Sequence, residues 1–179
     1  MKDTKQRLIL AALEVMHHDP NASLASIAEQ AGMSSMTIHR HFDNKKTLYI
    51  EASVAVIDHA TDLLAASRSM HSQPMEQLRY LVEESVISKL NYHYLSFLAE
   101  EFDNHKVVKA YDRMVEGFDT LADQLKKDGS MDSDMPTSWV VNMFEGIVGA
   151  GFHSLHEGTI APKTVQELAS QSMIRLLAK

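Results

Sequence analysis

A single short run from Ser34 to Lys45 gathers Ser35, Thr37, His39, Arg40, His41 and Lys45, with Asp43 its one carboxylate. Hydroxyls, imidazoles, a guanidinium and an ammonium in this mixture grip phosphate oxygens and meet the edges of bases. Bond-breaking chemistry asks for something else, a base held against a nucleophile or a glycine loop cradling a phosphate. The chain has no nucleophile motif, phosphate-binding loop or dinucleotide fingerprint. We therefore expect a binding protein and not an enzyme. The second candidate set is the histidines, ten in all, of which His153 and His156 stand three apart beside Glu157. That spacing puts two imidazoles on one helical face, but a metal-binding bundle would need a matching pair on a neighbouring helix, and the sequence offers none. No metal and no cofactor is expected.

The elements that must hold the first run can be read around it. A helix over 4–16 carries Leu8, Ala12, Val15 and Met16 at helical spacing, and Asp19 and Pro20 end it. Ser23 then caps a second helix whose inward row is Ile27, Ala28 and Ala31. Gly32 closes that helix in the left-handed conformation that suits glycine, and Ser34 caps a third over 35–41. The third helix has one apolar anchor, Ile38, with Phe42 just beyond it. A helix so short gains little from its own hydrogen bonds, so its other side is expected to be presented to a partner. Asp43 or Asn44 caps a long helix to about residue 69, which begins with Lys45 and carries Leu48, Ala52, Ala55, Val56, His59, Leu63 and Leu64.

This order resembles the DNA-binding signature of the TetR family of transcriptional regulators. Ala31, Gly32, Ser34, Thr37, Ile38, His41, Phe42, Lys45 and Leu48 fall on its pattern, and Ala11, Ala12, Ser23, Ile27 and Ala28 fall on its earlier half. The sequence departs at Met36, where the family carries a small residue, and at His39, where it carries tyrosine; the turn at His18 to Asn21 is also shorter and uses proline. The resemblance implies a helix-turn-helix domain over 1–48 and a helical effector-binding and dimerisation domain over 49–179, all-α throughout. It implies double-stranded DNA as a partner. Ser35, Met36, Thr37 and Arg40 are then the candidate base readers. Ser23, His39, His41 and Lys45 are candidate backbone anchors, with Ser34 at the head of the reading helix.

Beyond residue 67 a polar break ends at Pro74, and the pattern stays helical, with helices over 75–88, 92–102, 106–127, 137–156 and 162–178. The stretch 129–136, with Gly, Ser, Asp and Pro, is expected to be a mobile loop with Met131 and Met135 exposed. Two further groupings stand out. Tyr80, His93, Tyr94, Phe97, Glu101, Tyr111, Met114, Phe118 and Met143 form a methionine and aromatic stripe that is either plain core or an adaptable, partly polar cavity. The resemblance implies the cavity, and a small-molecule effector in it. Gly146, Gly149 and Gly151 each cost about 1 kcal/mol in a helix interior, so close approach of another helix is expected. Gly146, Gly149, Ala150 and His153 on one helix, with Leu168, Ser172 and Leu176 on the last, are the candidate homodimer interface.

Composition sets the remaining bounds. The net charge of −7 argues against indiscriminate nucleic-acid binding. It is unevenly spread: residues 1–50 hold six Lys and Arg against five Asp and Glu, and the remainder eleven against nineteen. There is no cysteine, hence no disulfide, and no apolar run of the roughly 18 residues that a membrane span requires. The expectation is a cytoplasmic, homodimeric regulator, a repressor released from a palindromic operator by a small molecule. The rival expectations are a DNA-binding protein governed by a protein partner or by no ligand, and a helical metal enzyme.

Overall fold

The structure is a computed structural model and describes residues 2–90 and 103–177. In that range it is built from eight α-helices: α1 (Lys2–His18), α2 (Leu24–Gln30), α3 (Ser35–His41), α4 (Lys45–Met70), α5 (Pro74–Ile87), α6 (His105–Lys127), α7 (Thr137–Glu157) and α8 (Pro162–Leu177). No strand occurs among the described residues. The expected helix over 92–102 lies outside them. The chain divides into two compact units, one holding the described residues up to Val56 together with 103–109, the other 57–90 together with 110–177. The boundary falls within α4, as does the one expected after residue 48.

The first unit has a small core of Leu8, Ala12, Leu13 and Met16 from α1, Ile27 and Ala28 from α2, Ile38 and Phe42 around α3, and Leu48 and Ala52 from α4. Val15, expected inward, is only half-buried, and Leu13 is buried instead. Glu51 on α4 receives hydrogen bonds from Lys5 of α1 at 2.7 Å and Lys106 of α6 at 3.2 Å. The Lys5 hydrogen bond is the main reason the Glu51 carboxyl titrates below its ordinary 4.5; burial opposes it and Lys106 adds to it.

In the second unit α5, α7 and α8 pack on one another. Gly151 is where α7 meets α5, since a Cβ there would stand 2.8 Å and 2.9 Å from the Val86 methyls. The Ser170 hydroxyl of α8, fully buried, donates to Glu83 of α5 at 2.7 Å, and Gln166 donates to the Glu83 carbonyl at 3.2 Å. α6 contributes a buried row of Ala110, Met114, Phe118, Leu121 and Leu125 to this unit. The loop after α6 differs from expectation at both methionines: Met135 is half-buried and Met131 is buried, 1 % exposed. Its N–H bonds to the Leu125 carbonyl at 3.0 Å, while Asp132 N–H reaches the Leu177 carbonyl at 3.4 Å. The polar composition around Met131 signalled a surface loop, but the thioether tucks in where the helix ends leave apolar surface to cover.

Candidate nucleic-acid interface

The three-helix arrangement is set by caps. The Ser23 hydroxyl accepts from the Ser26 N–H and the Ser34 hydroxyl from the Thr37 N–H, so each serine satisfies a donor that its short helix leaves open. Between them Gly32 takes φ +67°. Its N–H bonds the Glu29 carbonyl and the Met33 N–H bonds the Ala28 carbonyl, the paired closure that turns the chain out of α2 and into α3. Arg7 of α1 donates to the Ala31 carbonyl at 2.9 Å and braces the same corner. The sequence analysis did not single out Arg7; a lone arginine on an amphipathic helix carries no signal that it will reach a helix end.

α3 is anchored by Ile38, fully buried, and by Phe42, 1 % exposed. Ser35, Met36, His39 and Arg40 are exposed, and Thr37 and His41 half-buried. Met36 is 83 % exposed. The Thr37 hydroxyl is 2.9 Å from the Ser34 hydroxyl, so these two side chains are partly committed to each other. Lys45 does not simply project: its Nζ donates to the Pro20 carbonyl at 2.9 Å and lies 5.2 Å from the centre of the Tyr49 ring. The Tyr49 hydroxyl donates to the same carbonyl at 3.1 Å. Tyr49 is the residue that sequence reasoning missed here. Its place one turn after Lys45 was the available clue.

The second unit holds the other candidate residues. Met114 and Phe118 are fully buried, and the Phe118 ring meets Phe144 edge to face with centres 5.1 Å apart. Tyr111 and Met143 are half-buried. Burial, with a smaller contribution from the Glu145 charge, raises the Tyr111 hydroxyl above its ordinary 10.0. Tyr80 stands with its ring 5.5 Å from His71. His93, Tyr94, Phe97 and Glu101 lie outside the described residues. A polar pair not foreseen from the sequence joins α4 to the end of α5: His59 Nε2 is 2.7 Å from the Ser88 hydroxyl, which also accepts from the Leu90 N–H. Burial lowers the His59 pKa below 6.5, and the Asp62 and Glu84 charges work against that.

An open, mostly apolar groove runs between α7 and α8, lined by Ile147, Ala150, Gly151, Ser154, Ile160, Val165, Leu168, Ala169 and Ser172. None of the described residues expected to hold an effector lines it. It includes three from the expected dimer face, Ala150, Leu168 and Ser172, and the exposed Gly146, His153 and Leu176 continue the same two helices. Gly149 is instead buried in the subunit. Of the glycines whose helix-breaking cost called for a neighbour, Gly151 has its neighbour within the chain, whereas a Cβ at Gly146 would meet nothing within 4 Å. His156 stacks on Phe152 with ring centres 4.3 Å apart, and no group of three or more metal-ligating side chains assembles among the described residues.

Residues 8–52, the segment bearing these caps and the exposed side of α3, match the model of the bacterial regulatory proteins of the tetR family. That match makes the first helices of this chain similar to the DNA-binding segment of the tetR family. The chain's fold agrees along nearly its whole length with solved TetR-like structures. A TetR family transcription regulator from Marinobacter aquaeolei VT8 aligns with TM-score 0.72 at 18% identity, covering 99% of this chain and 97% of that one. The regulator LfrR from Mycobacterium smegmatis, solved with proflavine, aligns with TM-score 0.71 at 19% identity over 96% and 95%. FadR from Bacillus subtilis, solved with stearoyl-CoA, aligns with TM-score 0.68 at 17% identity over 97% of each. No curated protein matches the sequence. Among the described residues no helix is long and apolar enough to cross a membrane.

Proposed function

We propose that this protein is a TetR-family regulator, a homodimeric, ligand-responsive repressor that binds a palindromic operator and leaves it when a small molecule occupies the second unit. The observation that carries the reading is α3 itself, a helix anchored by Ile38 and Phe42 alone and presenting Ser35, Met36 and Arg40 outward. In this reading residues 1–48 are the DNA-binding module, α3 enters the major groove, and Ser23, His39, His41 and Lys45 meet phosphates around it. Two modules related by a two-fold axis make the operator a palindrome. The dimer forms through the exposed sides of α7 and α8, with Gly146, Ala150, His153, Leu168, Ser172 and Leu176 at the contact.

In this reading the effector site is formed from Tyr80, Tyr111, Met114, Phe118 and Met143, the described residues of the methionine and aromatic stripe. Support comes from the mixed polar and apolar chemistry of this stripe and from the two similar folds solved with proflavine and with stearoyl-CoA. The effector acts by its difference in affinity for the operator-bound and released conformations.

Selection of duplexes from a random pool by the purified full-length protein tests the reading. The expected result is an inverted repeat bound by one dimer, with an affinity falling steeply as salt rises. Recovery of duplexes without a shared sequence would overturn it.

A further inference from the structure

Met36 is the least ordinary residue on the surface of α3. The element that carries it is rigid, capped by the Ser34 hydroxyl and pinned by fully buried Ile38, so Met36 is held out by the fold at 83 % exposure. Around it the exposed side is polar: Ser35 precedes it, Thr37 and Ser34 share a hydrogen bond at 2.9 Å, and Arg40 lies one turn further along the same face. A large thioether is thus the one apolar group among the outward side chains of a helix whose partner is the major groove.

That groove displays a single apolar feature, the C5-methyl group of thymine. Apart from the small C5–H of cytosine, the other edges there carry hydrogen-bond donors or acceptors. A methionine pressed against one of these would strip it of water without replacing the lost bond. Resting on the operator-binding reading above, we infer that Met36 sets the base preference of the reading helix, packing on the methyl of a thymine in each half-site. The preference is twofold in origin: thymine gains a buried methyl contact, and guanine, cytosine and adenine at the same place lose hydration. Arg40, four residues on, reaches a different base step. Met36 and Arg40 therefore act on separate positions of the half-site.

The experiment replaces each thymine of the selected operator in turn by deoxyuridine, which removes the methyl and nothing else. Binding is measured by fluorescence anisotropy for the wild type and for Met36→Ala. At one thymine per half-site the wild type is expected to lose about threefold to fivefold in affinity, the value of one buried methyl group. Met36→Ala is expected to bind the thymine and deoxyuridine operators equally at that position while keeping the methyl sensitivity of any other. Met36→Gln should move the preference at that base pair toward adenine, whose N6 and N7 pair with an amide. Since Met36 makes no part of the core, all three proteins should melt together. A wild type indifferent to every deoxyuridine overturns the inference but leaves the operator reading intact, as does equal methyl sensitivity in wild type and Met36→Ala. Failure to select any shared sequence brings down both.

Discussion

Arg40 and Lys45 are both cations of the proposed DNA-binding module, yet their settings differ. Arg40 is exposed on α3, where a planar guanidinium can pair with guanine O6 and N7, while Lys45 is tethered to the Pro20 carbonyl at the head of α4. Arg40→Ala is expected to cost ~1–3 kcal/mol per half-site on the selected operator and to relax one base pair. Lys45→Ala should weaken every duplex alike and lower the salt slope by ~0.9 per half-site. Titrations of singly substituted operators at two salt concentrations separate the two; a uniform loss with Arg40→Ala would make it a phosphate contact. Glu51 gives a prediction for stability in place of binding. Its folded-state pKa is depressed, so its contribution is present above the unfolded value of about 4.5 and is lost as pH falls through the lower folded value. With Lys5 42% and Lys106 55% exposed, that contribution is only about 0.5–1 kcal/mol. Denaturation of wild type and Glu51→Gln should differ by this amount at pH 7 and converge as pH falls through the depressed folded value.

Within α7 the glycines stand in different surroundings. At Gly151 the added methyl of alanine would collide with Val86, a β-branched side chain with little freedom to turn away. Gly151→Ala should therefore destabilise by ~1–3 kcal/mol despite the better helix propensity of alanine. Val86→Ala in the same chain should return part of the loss, a non-additivity that thermal melts of the four proteins would show. Gly146 faces open space, so Gly146→Ala should leave the subunit unchanged or stabilise it by up to ~1 kcal/mol. If Gly146→Ala were as damaging as Gly151→Ala, the α7 packing described above would be wrong.

Assembly is decided on surfaces, and the useful probes are side chains exposed in the subunit. Leu168 is 51 % and Leu176 52 % exposed, and with Ala150 they leave the open side of α7 and α8 apolar. Leu168→Arg should preserve the helical spectrum and the melting profile of the subunit but produce a monomer in sedimentation velocity. Operator affinity should fall by orders of magnitude, since each monomer then holds one half-site alone. Persistence of the dimer would place the contact on another surface. A substitution at Gly149, buried within the subunit, would disturb folding and dimer together and could not distinguish them.

What the sequence determined by itself is local. Gly32 as the left-handed closure of α2, Ser23 and Ser34 as caps, Ile38 and Phe42 as the inward row, and the bounds of α5 to α8 within a residue or two all follow from spacing and from the chemistry of short side chains. Such features depend on neighbours three or four residues away, and those neighbours are written in the chain. Only the tertiary structure decided that Lys45 and Tyr49 converge on Pro20, that His59 meets Ser88, that Met131 is buried in a polar loop, and that of Gly146 and Gly151 only the latter touches another helix. Each of these joins residues distant in sequence. Helical periodicity says which side of a helix turns inward, but the identity of what it meets there depends on how whole helices pack, and that depends on all of them at once.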